Sequence, residues 1–329
     1  MMKYRQLGHT GLNLSVLGMG GAGFGNVYGN HLEEEATKAV HHSLRRGVNY
    51  FDTAYWYGQG KSEQFLGRAL ENVSRDKFYI GTKVGRYERD VANMFDFSAK
   101  KVIESAKDSL DRLQMNYVDI LQVHDVEFAP SIDILVNETL PALEEVRRSG
   151  LCHFIGITGY SLSTLQDVIL RSKVKIDSVL TYCRLTLNDS TLLKSLEFFH
   201  DMGVPIINAS PLSMGLLSPR GIQSWHPASQ EIKQACKYAV AYCRKQDVDI
   251  TKLALKYSST TCEQVVTTLV SMNDIAMVDE NIGAVAQPLT SKEEEVQEYI
   301  YKTYFEQLKQ PHWEGIEEKN YWSALRAES

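Results

Sequence analysis

Four residues of the chain have the chemical types needed to move a proton and to hold the resulting charge. Asp52 ends an apolar run, Tyr57 follows in a glycine-containing turn, and Lys83 and His124 end two later apolar runs. A tyrosine has an ordinary pKa of about 10, and a lysine ammonium beside it would favour the phenolate. Asp52 would hold that ammonium in place, and His124 would orient a substrate oxygen or relay the proton. With a hydride acceptor nearby, this set would oxidise an alcohol or, in reverse, reduce a carbonyl.

Each of the four also has an ordinary structural alternative. Asp52 could cap a helix, Tyr57 could lie on a loop rim, Lys83 could be a surface charge, and His124 could be a hydrogen-bonded histidine at a rim. Their joint placement at the ends of three successive predicted strands favours chemistry, because the carboxyl ends of parallel strands meet at one mouth.

The elements that would position these residues are eight apolar, strand-like runs that alternate with helical stretches. They are residues 16–18, 48–51, 78–82, 117–123, 154–157, 176–180, 204–207 and 265–269. This alternation predicts an α/β fold with a parallel sheet. We predict a single (β/α)8 TIM barrel rather than two Rossmann-like halves, because the strand count matches and no linker divides the chain. Residues 1–329 would form one domain, with an N-terminal hairpin and a C-terminal tail from about residue 308.

Two helices carry clear signals. Ser98 is a predicted N-cap, and Val102, Ala106, Leu110 and Leu113 recur at helical spacing as one apolar stripe. A helix over residues 33–46 starts with acidic residues and ends in arginines, and Gly47 suits the left-handed position after it.

Two motifs resemble other dinucleotide enzymes only superficially. Residues 18–23 fit the Gly-x-Gly-x-x-Gly fingerprint, but a helix must begin at those glycines to bind pyrophosphate, and here it begins only near Glu33. Tyr57 and Lys61 fit Tyr-x-x-x-Lys, but two intervening glycines disfavour the helix that would align them. We therefore expect a glycine-rich loop at the first site and a solvated Lys61 at a helix start.

The composition limits the classes of partner. The 329-residue chain has a net charge of -6 and no cluster of basic residues, which argues against nucleic acid or an anionic membrane as partner. No apolar run is long enough to span a bilayer. The five cysteines form no C-x-x-C pair, so neither a disulfide framework nor a metal site is predicted. We expect a monomeric cytoplasmic protein with a small-molecule substrate.

In order and strand context, Asp52, Tyr57, Lys83 and His124 resemble the catalytic tetrad of the aldo-keto reductase family. The resemblance continues over about 250 residues and is most similar to the L-galactose dehydrogenase branch. It is carried by residues 95–99, 117–121, 124–128, 155–159, 188–193, 225–229 and 251–255. The resemblance implies a barrel that binds a nicotinamide cofactor without a Rossmann fold. It also implies oxidation of the anomeric carbon of an aldose to a lactone, with NAD as acceptor.

The same resemblance implies a set of cofactor contacts. Thr158 and Gly159 match the site for the nicotinamide carboxamide, where Ser-Asn is commoner, and Tyr182 matches the support of the nicotinamide face. The loop that wraps the pyrophosphate corresponds to Ser210, Pro211, Leu212, Ser213, Gly215 and Leu217. Glu280 and Asn281 match the adenine-binding pair, and Gly20, Met272 and Asn273 complete the set.

The stretch after the eighth strand bears on the choice between NAD and NADP. NADPH-preferring relatives carry Lys or Arg there to bind the 2′-phosphate, whereas this chain has Ser271 and Met277 at the usual basic positions. A phosphate monoester without a cationic partner is poorly compensated. NAD is therefore the expected cofactor, used at least as well as NADP.

For the substrate, the candidate residues at the mouth are Trp56, Asp125, Phe128 and Arg184. Trp56 and Phe128 would give sugar-stacking or apolar walls. Arg184 could favour an anionic substrate, with a surface salt bridge as its alternative. The aromatic residues of the tail predict packing over the barrel, whereas residues 317–319 and the last residues predict a mobile end.

Two alternative functions remain open from the sequence. One is an NADPH-dependent reductase of aldehydes or ketones, including steroid-like ketones, because reaction direction depends on cofactor ratios. The other is a noncatalytic member of the fold that senses cofactor as a subunit of a complex, against which the intact tetrad weighs.

Overall fold

The eight predicted strands close into a parallel barrel in the computed structural model, which describes residues 2–29 and 31–328. The strands, numbered in chain order, are β1 (Tyr4–Gln6), β2 (Asn13–Ser15), β3 (Leu17–Gly20), β4 (Tyr50–Asp52), β5 (Tyr79–Val84), β6 (Val118–Val123), β7 (Cys152–Gly159), β8 (Ser178–Tyr182), β9 (Ile206–Ala209) and β10 (Val265–Val270). Around the barrel the order is β10-β3-β4-β5-β6-β7-β8-β9. The predicted fold class is confirmed, and every predicted strand end lies within two residues of the observed one.

The register of neighbouring strands brings the predicted catalytic positions to one level. Asp52 on β4 pairs with Gly81 on β5, and Lys83 on β5 pairs with Gln122 on β6. Because all eight strands run parallel, their carboxyl ends open at the same mouth. Asp52, Lys83 and His124 therefore reach this mouth from three adjacent strands.

The opposite end of the barrel is closed by the predicted N-terminal hairpin. β1 and β2 pair antiparallel, with Tyr4 opposite Ser15. Leu7 and Leu14 of this hairpin are fully buried and belong to the same apolar cluster as Tyr50 and Ile120 of the barrel strands. Burial of a leucine side chain contributes about 1.5–3 kcal/mol, so the hairpin stabilises the closed lower end.

The helices surround the barrel and follow the strands along the chain. They are α1 (Glu33–Arg45), α2 (Lys61–Leu70), α3 (Ala99–Leu113), α4 (Ile132–Ile134), α5 (Leu140–Arg148), α6 (Leu162–Arg171), α7 (Leu196–Asp201), α8 (Gln230–Lys245), α9 (Ile250–Thr260), α10 (Ile275–Ala286), α11 (Ser291–Ile300) and α12 (Ile316–Glu328). A π-helical turn, Leu135–Thr139, joins α4 to α5. Within residues 2–29 and 31–328, none of the helices combines the length and the apolar character needed to cross a bilayer.

The local signals for α1 and α3 are confirmed. The Ser98 side chain accepts a hydrogen bond from the Lys101 amide, 3.4 Å away, at the start of α3. The predicted apolar stripe of α3 is buried against the barrel. Gly47 follows α1 with φ of 94°, the left-handed conformation that glycine adopts without steric cost.

Neither superficial dinucleotide motif forms the structure that its pattern would need. Residues Gly21–Gly23 form one 3-10 turn, and α1 begins only at Glu33. Gly58 and Gly60 adopt φ of 74° and 87°, which interrupts any helix between Tyr57 and Lys61. Lys61 is exposed at the first position of α2, as expected.

Candidate active site

The structure brings Asp52, Tyr57, Lys83 and His124 together at the barrel mouth. Lys83 Nζ forms an ion pair with Asp52 Oδ1, and it also donates to the Thr53 carbonyl oxygen at 2.7 Å and to Tyr57 Oη at 3.5 Å. Both charged side chains are almost completely buried, with 1% and 3% of their surfaces exposed. The Lys83 ammonium is thus fixed between a carboxylate and the phenol.

Two further barrel residues, which were not predicted from the sequence, hold the Asp52 carboxylate. Gln122 Nε2 donates to Asp52 Oδ2 at 2.8 Å, and Tyr50 Oη donates to the same oxygen at 3.3 Å. Gln122 is a polar residue inside the apolar run of β6, two positions before His124, and side chains two apart along a strand face the same side. That interruption was the signal that would have identified it.

The position of Tyr57 depends on the close approach of two loops. A Cβ at Gly25 would overlap the backbone carbonyl of Tyr57, and a Cβ at Gly58 would lie 2.6 Å from the Gly25 carbonyl oxygen. The glycine-rich loop after β3 therefore packs directly against the turn that carries Tyr57. The Tyr57 ring meets the His124 ring edge-on, with centroids 5.9 Å apart.

Burial and charge act in opposite directions on the titration of these groups. Burial raises the pKa of Tyr57, and the Lys83 ammonium lowers it without cancelling the effect of burial. For Lys83 burial lowers the pKa, but the Asp52 carboxylate and Tyr57 outweigh it, so the net pKa is raised and the ammonium is retained. Burial lowers the pKa of His124 to about 3, against a smaller opposing effect of Asp125.

Three of the four predicted substrate residues lie beside the tetrad. Trp56 is half-buried next to Tyr57, while Asp125 and Phe128 are buried on the loop after β6. They surround Arg86, which was not singled out from the sequence. Arg86 Nη1 donates to Asp125 Oδ2 at 2.6 Å, and its Cζ lies 4.1 Å from the Trp56 ring centroid and 5.7 Å from that of Phe128.

The fourth substrate candidate, Arg184, lies in a different cluster. Its Nη2 donates to Glu314 Oε2 of the C-terminal tail at 2.9 Å, and its Nε lies 3.7 Å from Asp189 Oδ2. Arg184 thus forms the salt bridge that was its alternative interpretation, but with only 3% of the residue exposed the salt bridge is buried and not at the surface. Arg184 follows β8 by two residues, and the tail brings a carboxylate to it from 130 residues further along the chain. The Arg184 guanidinium therefore binds the C-terminal tail through Glu314.

The tail packs over the barrel, as its aromatic residues predict. Trp313 is 1% exposed and stacks on Tyr160 with ring centroids 4.9 Å apart. Tyr321 meets Phe95 and Phe128 edge-on, at 5.1 and 5.7 Å. Residues 317–319 are not an unstructured stretch, contrary to the prediction, because they form the first turn of α12. Glu317 there accepts a hydrogen bond from Trp313 Nε1 at 3.2 Å.

The residues that match the carboxamide site lie at the end of β7, next to the loop after β6. Thr158 Oγ1 accepts a hydrogen bond from the Asp125 amide at 3.0 Å. At Gly159 the space of a Cβ is filled by Glu127 Oε2. Glu127 Oε1 accepts from the Tyr160 amide at 2.6 Å, whereas its buried Oε2 has no hydrogen-bond partner within the described ranges. Glu127 thus explains why glycine stands at this strand end, and it was not predicted.

The predicted pyrophosphate loop after β9 is a compact set of turns. Ser210, Ser213 and Gly215 all have positive φ, at 55°, 48° and 103°. Ser213 Oγ donates to Asn188 Oδ1 at 2.7 Å, which ties the turn to the loop after β8. The other members of the predicted set lie in or beside this turn: Pro211, Leu212 and Leu217 within it, and Tyr182 at the end of β8.

The segment after β10 borders the end of β3. Ser271 Oγ donates to the Gly20 carbonyl oxygen at 3.3 Å, and Met272 is fully buried. Asn273 Oδ1 is buried without a hydrogen-bond partner among the residues described, and it lies 2.5 Å from the position that a Cβ at Gly23 would take. The remaining predicted contacts lie on α10, where Met277 is half-buried, Glu280 exposed and Asn281 buried.

A parallel (β/α)8 barrel with a buried Asp-Lys-Tyr-His set at its mouth defines an oxidoreductase that acts on alcohols and carbonyls. The aldo/keto reductase family model matches residues 16–300, and the chain belongs to the aldo-keto reductase family. It is accordingly an oxidoreductase of a family that uses nicotinamide dinucleotide cofactors.

Three relatives show the extent of the similarity. L-galactose dehydrogenase of Arabidopsis thaliana is 44% identical over 87% of this chain and 89% of its own length. D-arabinose 1-dehydrogenase of Saccharomyces cerevisiae is 31% identical over 92% and 93%. The holo structure of an aldo-keto reductase from Bacillus halodurans superimposes with a TM-score of 0.74 at 30% identity, covering 91% of this chain and 96% of its own.

Proposed function

We propose that the protein is an aldose dehydrogenase that oxidises the anomeric hydroxyl of an L-galactose-like sugar to a lactone. The observation that carries this proposal is the contact of Lys83 Nζ with both Asp52 and Tyr57 Oη in a buried site. The similarity to two sugar dehydrogenases supports the choice of substrate class. In the reaction the anomeric C-O-H group loses a proton and its carbon loses a hydride, which leaves the carbonyl of the lactone.

Tyr57 is the proposed base for the hydroxyl proton. Its pKa is raised by burial and lowered by Lys83, so the ammonium is what makes the phenolate accessible in an apolar site. Asp52 keeps the ammonium in place, and Gln122 and Tyr50 in turn keep Asp52 in place. The proton taken up by Tyr57 therefore remains beside a fixed positive charge.

His124 is proposed to orient the substrate oxygen as a neutral hydrogen-bonding group. Its pKa is lowered to about 3 by burial, so the imidazole carries no extra proton near neutral pH. Its buried Nδ1 has no hydrogen-bond partner in residues 2–29 and 31–328. Of the two roles open from the sequence, orientation of the substrate is favoured over proton relay.

The nicotinamide cofactor would supply the hydride acceptor, and several residues fit its binding. The turn at Ser210–Gly215 follows β9 at the mouth, and among the described residues buried oxygen atoms without hydrogen-bond partners lie on Glu127, after β6, and on Asn273, after β10. These atoms could accept hydrogen bonds from amide or hydroxyl groups of the cofactor. The chemical character of these residues therefore fits the group that the family implies.

We propose that NAD is preferred over NADP. The Asp274 carboxylate accepts a hydrogen bond from the Met277 amide at 2.7 Å and so caps the start of α10 in the stretch where a 2′-phosphate would need a cation. A carboxylate there would repel a phosphate. A clear preference for NADP in steady-state kinetics would contradict this proposal.

We also propose a monomer in the cytoplasm, organised as one domain. Its five cysteines are all free and buried, which supports a reducing compartment. A reductase of large apolar ketones is less well supported, because the charged Arg86-Asp125 pair stands at the mouth.

A Tyr57→Phe variant tests the proposed reaction. Loss of the phenol should lower kcat for aldose oxidation by about 10²–10⁴-fold. The affinity for NAD, followed by quenching of tryptophan fluorescence, should stay close to that of the wild type. A panel of aldoses and simple carbonyls, assayed in both directions, identifies the substrate. Turnover that survives in Tyr57→Phe would refute the mechanism.

A further inference from the structure

Trp56, Arg86 and Asp125 lie on the same three loops as the catalytic residues. Trp56 precedes Tyr57, Asp125 follows His124, and Arg86 comes three residues after Lys83. They contact one another: the Arg86 guanidinium lies over the Trp56 ring, and Arg86 Nη1 donates to Asp125 Oδ2. Asp125 Oδ2 is also 3.7 Å from His124 Nε2. The pair therefore borders the place where the substrate oxygen must lie.

Arg86 does not use all of its hydrogen-bonding capacity. Its Nε is buried and has no hydrogen-bond partner in the described part of the chain. The side chain keeps 17% of its surface exposed, whereas Lys83 of the tetrad keeps 1%. A buried donor without an acceptor is costly, and the cost is removed when a ligand supplies the acceptor. Asp125, with several acceptor sites on two oxygens, can still accept from a ligand hydroxyl.

Aromatic rings form the rest of this corner. Phe95 and Phe128 stack on each other with centroids 4.6 Å apart, and the Arg86 Cζ lies 5.2 Å from the Phe95 centroid. Tyr321 of α12 closes the same corner edge-on. Flat aromatic rings beside a paired donor and acceptor suit a molecule that has an apolar face and several hydroxyl groups.

We propose that Arg86, paired with Asp125, determines specificity by binding ring hydroxyls of a polyhydroxylated substrate. Arg86 donates to one hydroxyl oxygen, and Asp125 accepts from a neighbouring hydroxyl. The inference rests on the proposed function and narrows it to substrates with hydroxyls close to the reacting carbon. A carbonyl compound without hydroxyls gains nothing from this pair.

The experiment compares Arg86→Met with the wild type on two classes of substrate. Methionine keeps an apolar stem over Trp56 but cannot donate a hydrogen bond. We expect kcat/KM for aldose oxidation to fall about 10- to 100-fold, mainly through KM, because a charge-assisted hydrogen bond is lost. Reduction of cyclohexanecarboxaldehyde with NADH should change less than about twofold. The kcat/KM of Arg86→Lys for aldose oxidation should lie between those of the wild type and Arg86→Met, because lysine keeps the charge. This variant also tests the proposal if Arg86→Met fails to fold.

Arg89→Met is the matched control. Arg89 is in the same loop, is exposed, and donates to Gln59 Oε1 at 3.0 Å. We expect both activities of this variant to equal those of the wild type. An equal loss on both substrate classes in Arg86→Met, with unchanged affinity for NADH, would show that Arg86 supports the tetrad and would overturn the proposal. An unchanged aldose KM would overturn it as well.

Inhibition separates this proposal from the proposed function. A sugar lactone should inhibit the reduction of cyclohexanecarboxaldehyde, and its Ki should rise at least about tenfold in Arg86→Met. This measurement does not require any aldose to be oxidised. If the wild type oxidises no aldose but the Ki still depends on Arg86, the proposed function fails and the Arg86 site stands. If the lactone does not inhibit, or inhibits both forms equally, the Arg86 proposal fails.

Discussion

Two ion pairs at the barrel mouth, Lys83 with Asp52 and Arg86 with Asp125, use the same chemistry in different surroundings. The inner pair is saturated, because Lys83 also donates to Thr53 and Tyr57 and because Asp52 also accepts from Gln122 and Tyr50. The outer pair is more exposed, and Arg86 keeps an unused donor. A saturated pair fixes a charge in one place. An unsaturated pair leaves hydrogen-bonding capacity for a ligand.

Removal of the inner cation should have the largest effect. Lys83→Met leaves the Asp52 carboxylate buried without its partner, which costs about 3–5 kcal/mol of the free energy of unfolding. It also removes the charge that makes the Tyr57 phenolate accessible, so kcat should fall about 10³-fold. Chemical denaturation and steady-state kinetics measure the two effects.

The double variant Asp52→Asn/Lys83→Met serves as the control for Lys83→Met. Because both charges are gone, most of the stability should return while the activity stays low. If Lys83→Met alone kept more than a tenth of the wild-type kcat, the inner pair would have no role in proton transfer.

Displacement of Tyr57 from the inner pair should have the next largest effect. Gly25→Ala places a methyl group against the Tyr57 backbone carbonyl, so the turn must shift. Because a shift of about 1 Å in a catalytic group can cost about 10²-fold, kcat should fall about 10- to 100-fold. Gly283→Ala in α10 is the control, since nothing lies within 4 Å of its added Cβ and its activity should be unchanged. Equal kcat values for the two variants would refute the packing role of Gly25.

Substitution of Asp125, the acidic member of the outer pair, should weaken substrate binding. Asp125→Asn removes the charge that faces Arg86, and we expect KM for the aldose to rise about tenfold with a smaller change in kcat. Asp133→Asn breaks the exposed pair with Arg171 and is the control, because exposed pairs contribute little. If both variants had the same KM, the difference between the inner and outer pairs would lose its support.

The smallest expected effect is that of His124 titration on kcat/KM near neutral pH. His124, with its pKa lowered to about 3, stays neutral from about pH 5 upward and should add no step near pH 6.5. Aldose oxidation requires Tyr57 without its proton, and because burial raises the pKa of Tyr57, the rate should rise toward alkaline pH. Profiles of kcat/KM from pH 5 to pH 10 measure this, and a step near pH 6.5 that vanishes in His124→Asn would contradict it.

The inner pair could be predicted from the sequence because it obeys local rules. Asp52, Lys83 and His124 each end an apolar run, and parallel strands bring such ends together whatever the details of the loops. The polar Gln122 inside an apolar strand was a weaker local signal of the same kind. The tetrad thus depends mostly on strand order, which periodicity reveals.

The Arg86–Asp125 pair and the Arg184–Glu314 pair could not be predicted in the same way. Arg86 lies in a loop, and its partners are fixed by how that loop folds onto the loops of Trp56 and Asp125. Arg184 meets Glu314 across 130 residues, and periodicity carries no information about such a contact. Residues 317–319 form a helix because Trp313 and Tyr321 anchor the tail, although their charges alone suggest an unstructured end.

The anchoring of Trp313 on Tyr160 has a consequence for the order in which the molecule assembles. The Trp313 amide donates to the Tyr160 hydroxyl across 153 residues, so this contact closes a long loop and is expected to form late. The tetrad, by contrast, comes from adjacent strands in the first 124 residues of the chain. During synthesis the four tetrad residues are made before the tail, and until Glu314 follows, Arg184 has the nearby Asp189 carboxylate but lacks its second acidic partner. The packing of the tail on Tyr160 is thus completed only after the last part of the chain has been made.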